Sequence, residues 1–274
     1  MADHEHWQLD ASTPELYERY LVPAITSIWA ADLLDRIPLR PNETVLDIAC
    51  GTGAVIRLAA TRAQGGRLVG LDLNSAMLAV ARAAAQTGPP IEWVEGSALD
   101  LPFPAKSVDV VFCQLGLQFF PDRPLALREM RRVLRPGGRV GLSVYSAIER
   151  TPAAYAFVQA LDQHLGASAS RTKRAEHVFP DPEEIKSLLS EVGFHHVDVA
   201  TVTKQIEFPS MLDYVRFQLI ATPMAALLRD KSPTERDRAI HAMATDAASR
   251  IDPAMLHNGK LSFPQKSHVA IAGG

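Results

Sequence analysis

The chain has little cysteine, no long apolar run and no excess of basic residues. Its two cysteines, Cys50 and Cys113, lie in apolar stretches typical of strand ends, which argues against a disulfide framework and favours a reducing compartment. No apolar segment approaches the roughly 20 residues that a membrane-spanning helix needs. The first ten residues lack the basic and apolar regions of a secretion signal. We therefore expect a cytoplasmic protein without membrane insertion.

Charge is balanced, because 28 Lys and Arg face 31 Asp and Glu for a formal net charge of -3. The longest basic cluster is the pair Arg131 and Arg132 with its neighbours, so no nucleic-acid partner is expected. The nine histidines show no recurring metal-ligand spacing and have no cysteine near them, so no metal site is expected. No histidine is singled out as a general base, and the catalytic residue stays unassigned.

Short β-branched runs alternate with segments of helical spacing along the first half of the chain. Strands are predicted over 44–48, 67–71, 91–95, 108–113 and 139–145, and helices over 54–62, 75–86 and 123–133. Later segments are helices over 152–165 and 181–192 and strands over 197–207 and 259–272. This alternation predicts an α/β fold with a Rossmann-like, doubly wound, mostly parallel seven-stranded sheet.

Two helical regions flank this pattern. Residues 17–34 have helical spacing interrupted by Pro23, which predicts two short helices meeting at a bend. Residues 210–250 are rich in Ala, Met and Leu and form a predicted helical insertion before the last strand. The predicted division is an N-terminal helical lid over 1–40, a core over 41–208 and 259–274, and a helical substrate cap over 209–258. The apolar cap residues are the best candidate for an acceptor-binding surface, and an oligomer interface or a second core is the alternative.

The stretch VLDIACGTG, residues 45–53, carries the first chemical signal. Its glycines allow a sharp turn from strand to helix and a close approach of a nucleotide-like ligand. A dinucleotide fingerprint would need a glycine at position 56, where this chain has Ile56. Asp47 would repel a pyrophosphate but attract the ammonium group of S-adenosylmethionine (SAM). Asp72, at the end of the second strand, can accept both hydroxyls of a ribose in either kind of ligand.

Five segments resemble, in order and spacing, the successive motifs of class I SAM-dependent methyltransferases of the ubiquinone/menaquinone C-methyltransferase type (methyltransferase type 11). The resemblance covers roughly residues 40–145, and five ordered motifs are more specific than one glycine loop. The segments are VLDIACGTG, VGLDLNSAMLAVAR, EGSALDLPF, SVDVVFCQLGLQFFPD and ALREMRRVLRPGG.

The resemblance implies SAM as the cofactor and a set of contact residues. They are Asp47, Ala49, Gly51 and Gly53 around the methionine moiety, Asp72 on the ribose, Leu73 and Met77 against the adenine, Ser97 and Ala98 at the adenine edge, and Gln114 near the sulfonium. Tyr17, Tyr20 and Trp29 are candidates for a lid over the cofactor, with Tyr20 the expected contact, and core packing is the equal alternative.

Two positions depart from the family pattern. Ala49 stands where the family usually has its first glycine, and its methyl group fits the turn if φ is negative there. Ser97 stands where an Asp usually accepts the adenine amino group, and a serine hydroxyl offers a shorter, uncharged acceptor. The cofactor assignment survives both changes.

The expected activity is methyl transfer to an oxygen, nitrogen or carbon atom of a small apolar or aromatic acceptor in secondary metabolism, with S-adenosylhomocysteine (SAH) as product. Such a displacement mainly requires positioning and the exclusion of water, so a dedicated catalytic residue is optional. The alternatives are an NAD(P)-dependent oxidoreductase and a non-catalytic SAM-binding protein.

Overall fold

The computed structural model describes residues 13–84 and 87–274. Its strands form one sheet in the order β3-β2-β1-β4-β5-β8-β6, and the two-residue β7 pairs with β8. Strands β1 to β5 pair in parallel, whereas β8 runs antiparallel to β5. The strands are β1 (Thr44–Ile48), β2 (Arg67–Asp72), β3 (Ile91–Glu95), β4 (Val108–Gln114), β5 (Leu134–Tyr145), β6 (His195–Phe208), β7 (Leu256–His257) and β8 (Lys260–Gly273). The predicted doubly wound, mostly parallel seven-stranded sheet is confirmed, with β7 as a short addition.

Ten α-helices lie in the described ranges, and side-chain caps begin several of them. Asn74 accepts hydrogen bonds from two backbone N–H groups of its helix, and Asp122 and Asp181 each accept one. The helices are α1 (Thr13–Leu16), α2 (Ser27–Arg36), α3 (Ala54–Arg62), α4 (Ser75–Ala83), α5 (Arg123–Val133), α6 (Pro152–Leu165), α7 (Arg171–Ala175), α8 (Pro182–Glu191), α9 (Met211–Ile220) and α10 (Pro233–Ser249). None of the described helices is long and apolar enough to cross a membrane.

The chain folds as two compact units. The sheet unit contains Thr26–Ala147, Glu176–Lys204 and Lys266–Gly274. The helical unit contains the described part of Met1–Ile25 together with Ile148–Ala175 and Gln205–Gln265. This division differs from the predicted one in two main places. Helix α2 belongs to the sheet unit because it packs on α3 and β5, and helix α6 belongs to the helical unit because it packs against α10.

A continuous apolar core fills the sheet unit on both faces of the central strands. Val45 and Leu46 of β1 and Val110 and Val111 of β4 are all buried, as expected for parallel strands covered by helices on both sides. Helix α2 adds Leu33, which is fully buried against the sheet. This core holds the ends of the strands at fixed positions, which matters because the candidate site lies there.

The helical unit has its own aromatic core. The ring of Tyr214 in α9 makes edge-to-face contacts with Phe157, Phe208 and Phe263, with ring centroids 5.1 to 6.0 Å apart. Most large apolar residues of the predicted cap are buried within this unit; they include Met211, Phe217, Leu219, Met224 and Leu228. Their burial favours the second-core alternative for these side chains, and the acceptor-binding role of the cap stays a prediction.

Three local predictions differ from the structure. Pro23 does not separate two short helices at a bend, because it lies inside a π-helical segment, Tyr17–Thr26, that continues past it. Helix α4 ends at Ala83, and Ala85 and Gln86 lie outside the described residues. Strand β5 starts at Leu134 because this residue pairs with Val108 before a shift in register accommodates the Pro-Gly-Gly segment.

Candidate active site

The carboxyl ends of β1, β2 and β4 meet at one edge of the sheet unit. In the strand register Asp47 lies between Gly70 of β2 and Phe112 of β4, and Asp72 and Gln114 end their strands beside it. The strand order reverses at β1, whose neighbours are β2 and β4. Ligands of open α/β sheets bind at such switch points. The fold therefore brings Asp47, Asp72, Gln114 and the glycine loop to one edge.

The glycine loop turns through three left-handed residues, Ala49, Gly51 and Gly53, with φ of 54°, 56° and 86°. The N–H of Gly51 donates to Asp72 Oδ2 over 2.7 Å, which fixes the loop against β2. A Cβ added to Gly51 would meet no atom within 4 Å, so the loop has an open side there. A Cβ on Gly53 would lie 2.4 Å from the ring of Trp93, so this second glycine is required by close packing.

The condition under which the Ala49 methyl group would fit without strain is not met, because φ at this residue is 54° and not negative. A left-handed conformation costs an L-residue about 1–2 kcal/mol. Hydrogen bonds around the turn hold it in place, including Cys50 N–H to the Leu71 carbonyl at 3.0 Å. The Ala49 methyl group faces the loop after β4, where a Cβ on Gly116 would lie 2.8 Å from it.

Asp47 is a buried carboxyl with one oxygen unused. Its Oδ2 accepts a hydrogen bond from the Ile56 N–H at 3.2 Å, and its Oδ1 is buried without a partner among residues 13–84 and 87–274. Burial raises the pKa of Asp47 well above its usual value, the Ile56 N–H opposes this rise, and the nearby charge of Asp72 adds to it. A buried carboxyl of this kind is completed by a cation, and the ammonium group of SAM fits it in charge and hydrogen-bonding capacity.

Asp72 lies at the end of β2 with both oxygens turned towards the backbone. Its Oδ2 accepts from Gly51 N–H at 2.7 Å and its Oδ1 from Asn74 N–H at 2.8 Å. Each carboxylate oxygen has a second lone pair, so both can still accept a ribose hydroxyl. Leu73, 73% exposed, and the half-buried Met77 lie next along the chain and offer apolar surface to an adenine ring. The residues present therefore fit SAM.

Ser97 and Ala98 follow β3 at the same edge, where their side chains are partly committed. The Ser97 hydroxyl oxygen already accepts from Leu99 N–H at 3.1 Å. The methyl group of Ala98 is buried in the apolar core of the sheet unit, which leaves only its main chain for a ligand. The adenine contacts expected from both residues stay predictions.

Gln114 ends β4 with its carboxamide in a defined orientation. Its Nε2 donates to the Thr26 carbonyl at 3.0 Å, so its Oε1 must occupy the other side. Gln118 repeats this arrangement, because its Nε2 donates to the Leu115 carbonyl at 2.9 Å. In the described part of the chain neither Oε1 has a hydrogen-bond partner. Two buried acceptors are thus available near the end of β4, as expected for a region that binds a polar ligand.

Tyr20 is the one predicted cofactor contact that lies in the helical unit. Its ring stacks on that of Phe217, with centroids 4.3 Å apart and planes 4° from parallel. Its role as a cofactor contact or lid residue stays a prediction. Trp29 is the lid candidate that lies in the sheet unit. It is 1% exposed and packs in the core.

Sequence reasoning missed two residues of this edge. Thr52, in the glycine loop, is 1% exposed, and its hydroxyl has no hydrogen-bond partner within the described ranges. The ring of Trp93 fills a slot over Gly53 and Gly70, where added Cβ atoms would lie 2.4 and 2.6 Å from it. A glycine in the middle of a strand marks a close approach, so Gly70 was the available signal for Trp93.

Two further kinds of reactive group remain to be considered: the cysteine thiols and clusters of metal-ligating side chains. Burial raises the pKa values of the Cys50 and Cys113 thiols, and the charge of Asp47 adds to both shifts, so neither is a reactive thiolate. Over the residues that the structure describes, no three His, Cys, Asp or Glu side chains come together as metal ligands.

Residues 46–142 match the family described as Methyltransferase domain. The 2-phytyl-1,4-naphtoquinone methyltransferase of Thermosynechococcus vestitus is 36% identical over 180 residues, which are 62% of this chain and 80% of that protein. The ubiquinone/menaquinone biosynthesis C-methyltransferase UbiE of Hahella chejuensis is 34% identical over 197 residues, 67% of this chain and 79% of that protein.

A solved structure shares the fold over nearly the whole chain. It is a protein of Anabaena variabilis assigned as a methyltransferase of an antibiotic biosynthesis pathway, with a TM-score of 0.62 at 18% identity, covering 90% of this chain and 97% of that one. Together the comparisons confirm the Rossmann-like fold and SAM as the cofactor, and they set aside the nicotinamide alternative. The chain belongs to the class I SAM-dependent methyltransferases of the ubiquinone/menaquinone C-methyltransferase type.

Proposed function

We propose that the enzyme methylates a ring carbon of a small aromatic acceptor of the hydroquinone type. The observation that carries this proposal is the 36% identity to a naphthoquinone methyltransferase, 80% of which this chain covers. The second relative, named as a C-methyltransferase of ubiquinone and menaquinone biosynthesis, supports carbon as the attacked atom. A quinone ring carbon is electron-poor, so the acceptor has to be in its reduced, electron-rich form to attack a methyl group.

SAM supplies an electrophilic methyl group and leaves as SAH. The chain's own residues would hold and orient the ligand: Asp47 would bind the ammonium group, Asp72 the ribose, and Gln114 would lie near the sulfonium. The acceptor's ring carbon forms the new carbon–carbon bond, and its C–H proton passes to water. Because the leaving group is good, positioning and the exclusion of water supply most of the rate enhancement.

The proposal extends to the cellular setting. We also propose that the acceptor is a small molecule, that the enzyme is located in the cytoplasm and that it acts in secondary metabolism. The two free, buried cysteines support a reducing compartment. A homodimer is also proposed, and its test is the molar mass of the purified protein in solution.

The test is a methylation assay with 1,4-naphthohydroquinone and SAM labelled with carbon-13 in the methyl group. SAH formation is followed by mass spectrometry, and the position of the label on the product is read by NMR. Asp72→Ala and oxidised 1,4-naphthoquinone serve as controls. We expect label on a ring carbon with the hydroquinone and none with the quinone. Label on oxygen, or no SAH above the Asp72→Ala background, would contradict the proposal.

A further inference from the structure

Arg123 is the first residue of α5, directly after the turn that follows β4. Its guanidinium lies 4.9 Å from the centre of the Phe179 ring, and its Nη2 donates to the Gln118 carbonyl at 3.2 Å. Phe179 is 1% exposed and belongs to the core of the sheet unit. The side chain is therefore held in one place by an aromatic face and a backbone carbonyl.

This cation lacks the partners that a structural arginine normally has. Among the described residues no carboxylate forms an ion pair with Arg123, and its Nε–H is buried without an acceptor. A positive charge in the first turn of a helix is also opposed by the helix dipole. The neighbouring Asp122 forms no ion pair with Arg123 in the described part of the chain, and its carboxylate caps α5 by accepting from Leu125 N–H at 2.8 Å. An unpaired, charged N–H in a buried position indicates an oxyanion ligand.

Gln118 supplies a complementary group next to it. The residue is 5% exposed, and its Oε1 is an unpaired acceptor whose orientation is fixed by the Nε2 contact with Leu115. The unpaired donor is the Nε–H of Arg123, and the unpaired acceptor is the Oε1 of Gln118. The two residues are joined by the hydrogen bond from Arg123 to the Gln118 carbonyl. A hydroxyl group has both capacities, because its oxygen can accept from an N–H of Arg123 and its proton can be donated to the Gln118 amide oxygen.

We propose that Arg123 binds the hydroxyl oxygen of the aromatic acceptor and favours its ionised form, with Gln118 recognising the neutral hydroxyl. This inference rests on the proposed function and names the residue that activates the acceptor. On ionisation the O–H proton passes to water, and the phenolate feeds electron density into the ring carbon that attacks the methyl group. Arg123 is then a substrate-binding residue, and no protein base is required.

Three titratable side chains lie within two residues of Arg123 or Phe179, and one of them, Asp181, caps α8 by accepting from Glu183 N–H. Asp122 precedes Arg123 and is used as the cap of α5. His177 lies two residues before Phe179, with Nδ1 2.7 Å from the Ser146 carbonyl and its ring stacked on Tyr145. A pH titration of a bound phenol therefore has to be compared between variants that leave all three residues in place.

The test uses 4-nitrophenol, whose phenolate is measured by its visible absorption, added to the protein saturated with SAH so that no turnover occurs. The probe is titrated with pH in the wild type, in Arg123→Met and in Arg128→Met. Arg128 is exposed on the same helix, so its substitution removes the same charge away from the proposed contact. SAH affinity is measured by calorimetry on all three proteins.

We expect the bound probe to ionise about one pH unit lower in the wild type and in Arg128→Met than in Arg123→Met, which corresponds to about tenfold tighter binding of the phenolate. SAH affinity should be the same in all three. An unchanged probe titration in Arg123→Met would overturn the inference. So would a loss of SAH affinity with the probe unaffected, because the oxyanion would then be the cofactor's own carboxylate. Failure of naphthohydroquinone methylation with an intact probe response would instead overturn only the proposed acceptor.

Discussion

The backbone N–H of Gly51 donates to Asp72 Oδ2 over 2.7 Å. This carboxylate therefore holds the glycine loop and keeps lone pairs for the proposed contact with the ribose. The proposed ribose contact would therefore be coupled to the geometry of the loop through this side chain. Such a coupling would favour an acidic residue at the end of β2 over a neutral acceptor of similar size.

Substituting Asp72 should separate these two roles. Asp72→Asn keeps one acceptor oxygen but loses the charge, and we expect SAH affinity to fall about tenfold. Asp72→Ala removes both acceptors, leaves the Gly51 and Asn74 N–H groups unpaired, and should lower affinity about 100-fold. Calorimetric titration with SAH measures both effects, and Asp100→Asn, at an exposed acid, is the control. Unchanged affinity in Asp72→Ala would remove Asp72 from the binding site.

We expect the Asp47 carboxylate to strengthen SAH binding and to lower the free energy of unfolding of the ligand-free protein. Its pKa is raised in the folded state, mainly by burial, so the unfolded chain ionises this group at a lower pH than the folded chain does. Stability contributed by the neutral form is therefore lost as the pH rises above about 4, the ordinary value for Asp. Asp47→Asn should raise the free energy of unfolding at pH 7 by about 1–2 kcal/mol, have no effect below pH 4, and weaken SAH binding at least tenfold.

Urea unfolding between pH 3.5 and 8 checks this sign, and Asp32 provides the opposite case. Burial acts to raise the pKa of Asp32, but its hydrogen bonds with Arg36 and Lys204 outweigh burial and lower it. The contribution of Asp32 is therefore present above about pH 4 and is lost as the pH falls through its folded pKa, so Asp32→Asn should destabilise at pH 7. Equal signs for the two variants at pH 7 would refute the assignment of Asp47.

The close approach of Ala49 to Gly116 predicts that a larger residue at position 116 is tolerated better when the residue at position 49 is made smaller. Gly116 has an ordinary helical backbone, with φ of -107°, so only the Ala49 methyl and the Cys113 sulfur, 2.8 and 2.9 Å from an added Cβ, oppose an alanine there. Gly116→Ala should lower the free energy of unfolding by about 1–3 kcal/mol. Ala49→Gly relieves the left-handed strain and should be neutral or stabilising by about 1 kcal/mol.

The double variant Ala49→Gly/Gly116→Ala should recover about half of the loss, because one of the two obstructing groups is gone. A double-mutant cycle by urea unfolding measures this coupling. Strict additivity of the two single changes would show that the methyl group does not limit the space at Gly116.

Much of this architecture followed from local pattern. Strands β1 and β3 and helices α3, α5 and α6 have the predicted bounds because β-branched runs, glycine turns and helical periodicity are signals that a short window contains. Pro23 and the start of β5 were missed because a π-helical turn and a register shift depend on neighbouring elements. The edge that gathers Asp47, Asp72 and Gln114 followed from ordered motifs.

The electrostatic features of the site could not be predicted from local sequence patterns. The unpaired oxygen of Asp47 results from packing on every side of β1, and the left-handed φ of Ala49 from hydrogen bonds to β2. The pairing of Arg123 with Phe179 joins residues 56 positions apart in the chain. Such relationships become visible only when the chain is folded.

The slot that Gly53 and Gly70 leave for Trp93 gives the enzyme an optical reporter. An indole ring in van der Waals contact with the turning point of the glycine loop experiences any shift of that loop as a change in its surroundings. Trp29, by contrast, is sealed in the core at 1% exposure. We therefore expect the emission of Trp93, once separated from that of Trp7 and Trp29, to follow loop movement in real time and at concentrations below those of calorimetry.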